Sequence, residues 1–135
     1  MLKASFKNIL LYILVKYLFF YVVMMFKIND FRYLQIGDLR NGEDWFLYLW
    51  MILFLPVLNM ILFSAPIYFL FRLKSVGYFL LAITAIFLAE YFVYVFFTSE
   101  KHVDINGVYN GIVSLLVFCL FFFKEIKSKF KRATT

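Results

Sequence analysis

Charged residues are scarce in this sequence: Asp, Glu, Lys and Arg make up 16% of its 135 residues, against 65% hydrophobic. A soluble domain of this length leaves much of its surface in water, and at a mean hydropathy of +0.88 that surface would carry large apolar patches. The balance excludes an ordinary water-soluble domain and makes lipid the expected solvent. Cysteine is down to one residue, Cys119, inside an apolar run, which excludes an intrachain disulfide and a cysteine metal cluster. Histidine is also single, in Glu100-Lys101-His102-Val103-Asp104. One His with scattered carboxylates falls short of a metal site, and no Ser-His-Asp or Cys-His set can be drawn. Asp104-Ile105-Asn106-Gly107 matches only a fragment of a calcium loop, and no glycine-rich phosphate loop precedes a helix. No metal, cofactor or enzymatic activity is expected.

What is present is long apolar runs. A helix needs about 20 apolar residues to cross a hydrocarbon layer about 30 Å thick. Four stretches qualify, over residues 8–26, 45–71, 76–98 and 105–123; the second and fourth are uncharged, the first holds Lys16 and the third Glu90. The first run follows Lys3 and Lys7, as a signal peptide would, but its end, Val22-Val23-Met24-Met25-Phe26-Lys27, has no small-residue cleavage site, so it reads as a retained helix. Lys16 does not prevent insertion. The run's twelve Leu, Ile, Val and Phe residues, at roughly −0.3 to −0.6 kcal/mol each, outweigh one central Lys at roughly +2.5 to +3.5 kcal/mol.

In a soluble protein the net charge of +6 would raise nucleic acid as a partner; here the basic residues are sorted along the chain and read as topology, and no nucleic acid is expected. Lys3, Lys7, Arg72, Lys74, Lys124, Lys127, Lys129, Lys131 and Arg132 fall on one side of the four runs, and Lys27, Arg32, Arg40 and Lys101 on the other. The predicted fold class is an all-α membrane protein of four transmembrane helices forming a single domain, with N and C termini cytoplasmic, in the cytoplasmic membrane. Asn41-Gly42 marks a turn, Trp45, Tyr48 and Trp50 suit an aromatic belt at the outer interface, and the short connection Arg72 to Ser75 predicts that helices two and three are antiparallel neighbours.

Intramembrane ionisable residues warrant a functional hypothesis with a named partner. Lys16 and Glu90 lie at depths differing by roughly 6 Å at ~1.5 Å per residue, within a lysine's reach, and Asn59 falls at similar depth. They are expected to form a polar cluster at mid-membrane, either as a neutralised pair that only fixes helix order or as a working site. Pro56 and Pro66 each remove a backbone donor from helix two and predict a kink or a break there. Ala82, Ala85 and Ala89 form one small-residue face, and Gly107 and Gly111 a GxxxG spacing followed by Ser114 and Cys119, suited to close helix packing within the chain or between copies. Helix one has no Gly, Ala or Ser between Asn8 and Phe26, which suits lipid or bulky packing. The basic stretch from Lys124 to Arg132 suits anionic headgroups and topology setting alike.

The expected partners are the lipid bilayer and either further copies of the chain or another membrane protein. The leading functional reading is a homo-oligomeric channel, pore or transport-type protein for ions or small solutes, resting on Lys16, Asn59, Glu90 and a broken helix two. The alternative is an accessory or immunity-type membrane protein that binds another membrane protein through helix packing. A membrane enzyme using Glu90 has least support.

Overall fold

A computed structural model describes residues 4–31, 34–98 and 104–133; Lys3, Arg32, Glu100, Lys101 and His102, which entered the topology and metal arguments, lie outside them. The described chain is helical: α1 (Phe6–Ile28), a 3₁₀ turn (Ile36–Asp38), α2 (Gly42–Leu70), α3 (Val76–Thr98) and α4 (Ile105–Ala133). All four α-helices are long and apolar enough to cross a membrane.

Local sequence sets the helix ends. The Ser5 hydroxyl accepts from the Asn8 N–H at the start of α1, and Asn29, in the left-handed region at φ 52°, ends it with its N–H on the Met25 carbonyl. The Asn41-Gly42 turn is the start of α2. Asn41 Oδ1 accepts from the Asp44 N–H at 2.8 Å, while Asp44 Oδ2 accepts from the Arg40 N–H at 3.1 Å. The first bond satisfies a donor that the helix N-terminus leaves free and the second ties the residue before the cap to the first turn, so α2 opens three residues before its apolar run.

The helices pack in a ring, each against its sequence neighbours and α4 back against α1, which leaves α1 and α3 opposite each other across the bundle. The face of α1 carrying Ile9, Tyr12, Ile13, Tyr17, Phe20 and Met24 is buried at helical spacing; this helix without small residues is the one packed most fully into the core. Phe63 and Ile67 of α2, Phe79 of α3 and Phe118 and Phe122 of α4 complete that core. The outward faces are apolar too, with Leu18, Ile61, Leu81, Phe96 and Leu120 largely exposed. A bundle apolar both inside and out is suited to hydrocarbon.

Two helix predictions need correction. The fourth helix does not stop at residue 123 but runs to Ala133, leaving helical backbone angles only at Phe122 (φ −109°, ψ 18°). Hydropathy marks where the membrane-compatible segment ends, whereas Lys, Glu and Arg beyond it are good helix formers, and Ile126 still packs on the core. The Lys129 ammonium donates to the Leu73 carbonyl and lies 5.3 Å from the Phe79 ring centroid, tying the basic tail to the α2–α3 turn. Nor is α2 broken: its helix continues through Pro56 and Pro66. Pro56 deprives the Ile52 carbonyl of its usual donor, and the Tyr21 hydroxyl of α1 donates to that carbonyl at 2.8 Å.

Small residues split between inside and outside. A Cβ on Gly107 would lie 2.8 Å from the Tyr91 ring, so this glycine permits the approach of α4 to α3, while one on Gly111 would meet nothing within 4 Å. Ala82 is half-buried against the core, and Ala85 and Ala89 are exposed.

Candidate functional site: a polar centre in an apolar bundle

Every helix sends a polar side chain to the centre of the bundle. Lys16 of α1, Asn59 of α2, Glu90 of α3 and Asn110 and Ser114 of α4 are all 5% exposed or less. Lys16 Nζ contacts Glu90 Oε1 directly. The pair spans the bundle, because α1 and α3 are opposite rather than adjacent. The Ser114 hydroxyl donates to Glu90 Oε2 at 2.8 Å, and Tyr12 Oη lies 2.9 Å from Ser114 Oγ. Ser114 has one proton and gives it to the carboxylate, so the Tyr12 hydroxyl is the donor to Ser114 Oγ. The result is a directional chain, Tyr12 to Ser114 to Glu90, ending on the ammonium of Lys16. Two charges removed from water are thereby matched by each other and by a charge-assisted hydrogen bond.

A second group lies alongside. The Lys16 ammonium is 4.2 Å from the Tyr17 ring centroid, and the Tyr17 hydroxyl faces Asn59 and Asn110. No hydrogen bond of ordinary geometry joins them: Tyr17 Oη, Asn59 Oδ1 and both polar atoms of the Asn110 amide are buried without such a partner. Asn59 uses only its amide N–H, toward the Leu55 carbonyl at 3.1 Å. Buried polar atoms nearly always find partners, and leaving one without costs about 1–3 kcal/mol. Three neighbouring residues in this condition at the core of one bundle are a departure from that rule.

Above and below, the centre is closed by rings. Toward the α2–α3 turn, Phe71, Phe118 and Phe122 pack together, with Phe71–Phe122 centroids 4.9 Å apart. Toward the other end, one turn beyond Lys16 and Glu90, Phe20 and Tyr94 meet edge to face at 5.5 Å.

Lys16, Glu90 and Asn59 thus all reach the centre: the first two touch, and Asn59 stands beside the pair without bonding to it. Pro56 and Pro66 lie on α2 without interrupting it, and Ala85, Ala89 and Gly111 are away from the centre. Tyr12, Tyr17 and Asn110 were missed by sequence reasoning, and Ser114 was taken only as a small packing residue. A signal for the α4 members was there: Asn106, Asn110 and Ser114 recur every fourth residue on one face of an apolar helix. Tyr12 likewise precedes Lys16 by four. Among the described residues no three metal-ligating side chains come together.

Fold and centre together define an integral membrane protein: four lipid-compatible helices around a buried polar core. Compared with protein families, curated proteins and solved structures, the chain has no significant match.

Proposed function

We propose that this protein is a non-enzymatic ion-transport protein that carries protons, or a small cation in their place, through the polar centre of each copy, with Glu90 as the exchanging group. The supporting observation is the chain Tyr12–Ser114–Glu90–Lys16 flanked by the unpartnered atoms of Tyr17, Asn59 and Asn110. A neutralised pair that only ordered the helices would need neither the relay nor the orphaned amides, and apolar side chains of similar volume would stabilise the bundle at least as well. In this reading the path runs inside one bundle. A homo-oligomer with water between copies would need polar outward faces, whereas those faces are apolar.

The reading places both termini in the cytoplasm and the protein in the cytoplasmic membrane, on the bias of Lys and Arg toward the end of the bundle holding the α2–α3 turn and the basic tail. Reconstitution into liposomes with an imposed pH gradient tests the transport claim. Wild type should dissipate the gradient, and Glu90→Gln should lower the rate about tenfold or more, the order expected when one exchanging group is lost. A wild-type rate equal to that of protein-free liposomes would refute transport.

The alternative, an accessory or immunity-type protein docking on another membrane protein, draws on Ala85, Ala89 and Gly111, small residues turned outward where a foreign helix could approach. It predicts a strict monomer in mild detergent, without flux, that gains mass when its partner is present.

A further inference from the structure

Between α1 and α4, on the outside of the bundle, lies a groove of about 270 Å³ lined by Phe19 and Val23 of α1 and by Val113, Val117, Leu120 and Phe121 of α4. The described residues of its lining include no charged side chain. On α4 the lining ends within one helical turn of Lys124, the first residue past the apolar run. From Val113 to Lys124 the helix rises about 16 Å. That is close to half of a hydrocarbon layer about 30 Å thick, the depth of one leaflet.

Two charges continue the groove's face of α4. Lys124 follows Val117 by seven residues and Lys127 follows Leu120 by seven, about two helical turns in each case, so the lysines fall on the side of the helix that lines the groove. Past Phe122 the two sides of the tail stay distinct: Ile126 packs on the core and Lys129 reaches the Leu73 carbonyl, while Lys124 and Lys127 are exposed. Glu125, the acid of this stretch, is turned about 100° around the helix from Lys124 and is less exposed. Neither lysine is engaged by a carboxylate among the described residues. A topology signal requires only that basic residues lie on one side of the membrane; it does not require them on the face of a groove.

We propose that the groove and the two lysines form a site for an anionic phospholipid, with an acyl chain along the groove and the headgroup phosphate at Lys124 and Lys127. A zwitterionic lipid fits the apolar walls equally well but brings no net charge to the lysines. Each basic residue near an anionic surface adds about fivefold to its attraction, so charge complementarity selects the anionic lipid. A second copy seated in the groove about a two-fold axis would bring the same lysines toward each other, which like charge opposes.

Leu120, in the groove wall and 71% exposed, can give way to a reporter. With Trp45→Phe and Trp50→Phe, Leu120→Trp gives a protein with a single tryptophan. Its fluorescence is followed in phosphatidylcholine bilayers containing phosphatidylglycerol or phosphatidylcholine brominated on the acyl chains. The brominated phosphatidylglycerol should bind at the groove about fivefold more tightly, or better, the scale expected for one basic residue. Lys124→Gln combined with Lys127→Gln should abolish that preference, and Lys124→Arg with Lys127→Arg should keep it. In a protein carrying only Trp45→Phe, Trp50 reports from α2 toward the opposite end of the bundle and should show no preference. Equal binding of the two lipids at the groove would overturn the proposal, as would a preference that survives the paired Gln variant or that is as large at Trp50. Loss of quenching by both lipids, with a dimer in the mass measurement, would put a second copy in the groove and overturn it too. Quenching of the paired Gln variant by brominated phosphatidylcholine shows that it is folded with its groove open to lipid. Binding is read without flux, so failure here leaves the transport role of Glu90 standing, and failure of transport leaves this site standing.

Discussion

Lys16 and Glu90 each remove from lipid the penalty that the other would carry alone. Breaking a buried pair from one side strands a charge and costs about 3–5 kcal/mol, whereas removing both partners costs much less. Lys16→Met and Glu90→Gln should therefore each lower thermal stability in detergent sharply, and the double variant should recover most of the loss. Simple additivity in this cycle would mean that the contact carries no coupling energy. Asn110 makes the opposite case. Its amide is fully buried with no partner for either polar atom, so Asn110→Leu should leave stability unchanged or raise it by about 1–2 kcal/mol. If the amide serves transport, the same variant should lose flux in liposomes. A variant both less stable and fully active would reverse the assignment of Asn110 from function to structure.

Among the elements, α2 shows how a helix with two prolines stays intact. The Ile52 carbonyl, released by Pro56, is taken by the Tyr21 hydroxyl, a substitution of a side-chain donor for the absent N–H. Tyr21→Phe should cost about 1 kcal/mol, the usual scale of a hydrogen bond between membrane helices. In a Pro56→Ala background, where residue 56 again supplies its own N–H to Ile52, the same change should cost less. Thermal melts of the four proteins test this; equal losses in both backgrounds would show that the hydroxyl does not serve that carbonyl. Packing of α3 on α4 depends on Gly107, with the Tyr91 ring where a side chain would stand, whereas Gly111 faces open space. The two halves of one GxxxG spacing therefore do different things.

For the whole molecule, the proposed topology has all four apolar helices cross the bilayer and both termini on its cytoplasmic side. Reporter fusions at the two ends should both be active in the cytoplasm and inactive outside it; opposite locations would remove one crossing, and shared external locations would invert the orientation. Much of this architecture was legible in advance. The third helix begins and ends at the residues hydropathy marks, and the first and second differ by at most three residues at either end, because the requirement to span hydrocarbon is written in composition. The fourth overran its apolar stretch because helicity does not need apolarity. The charged pair was legible from depth alone. The tyrosines were not, since a tyrosine in an apolar run suits lipid, interface or core equally well. Ser114 hid among the small residues for the same reason: size marks it for packing and its hydroxyl for bonding, and only the facing helix decides which is used.

Composition by itself determined that this chain suits lipid, that it has four helical segments long and apolar enough to cross a bilayer, and that two opposite charges fall within those segments. Those outcomes follow from transfer free energies and helix rise, which are properties of segments. Tertiary structure alone decided that α1 faces α3 across the bundle, that Ser114 and Tyr12 complete the bonds of Glu90, and that Tyr17, Asn59 and Asn110 are left unsatisfied beside it. Those outcomes depend on the rotation and approach of one helix relative to another, which arise from contacts between segments and from no segment alone.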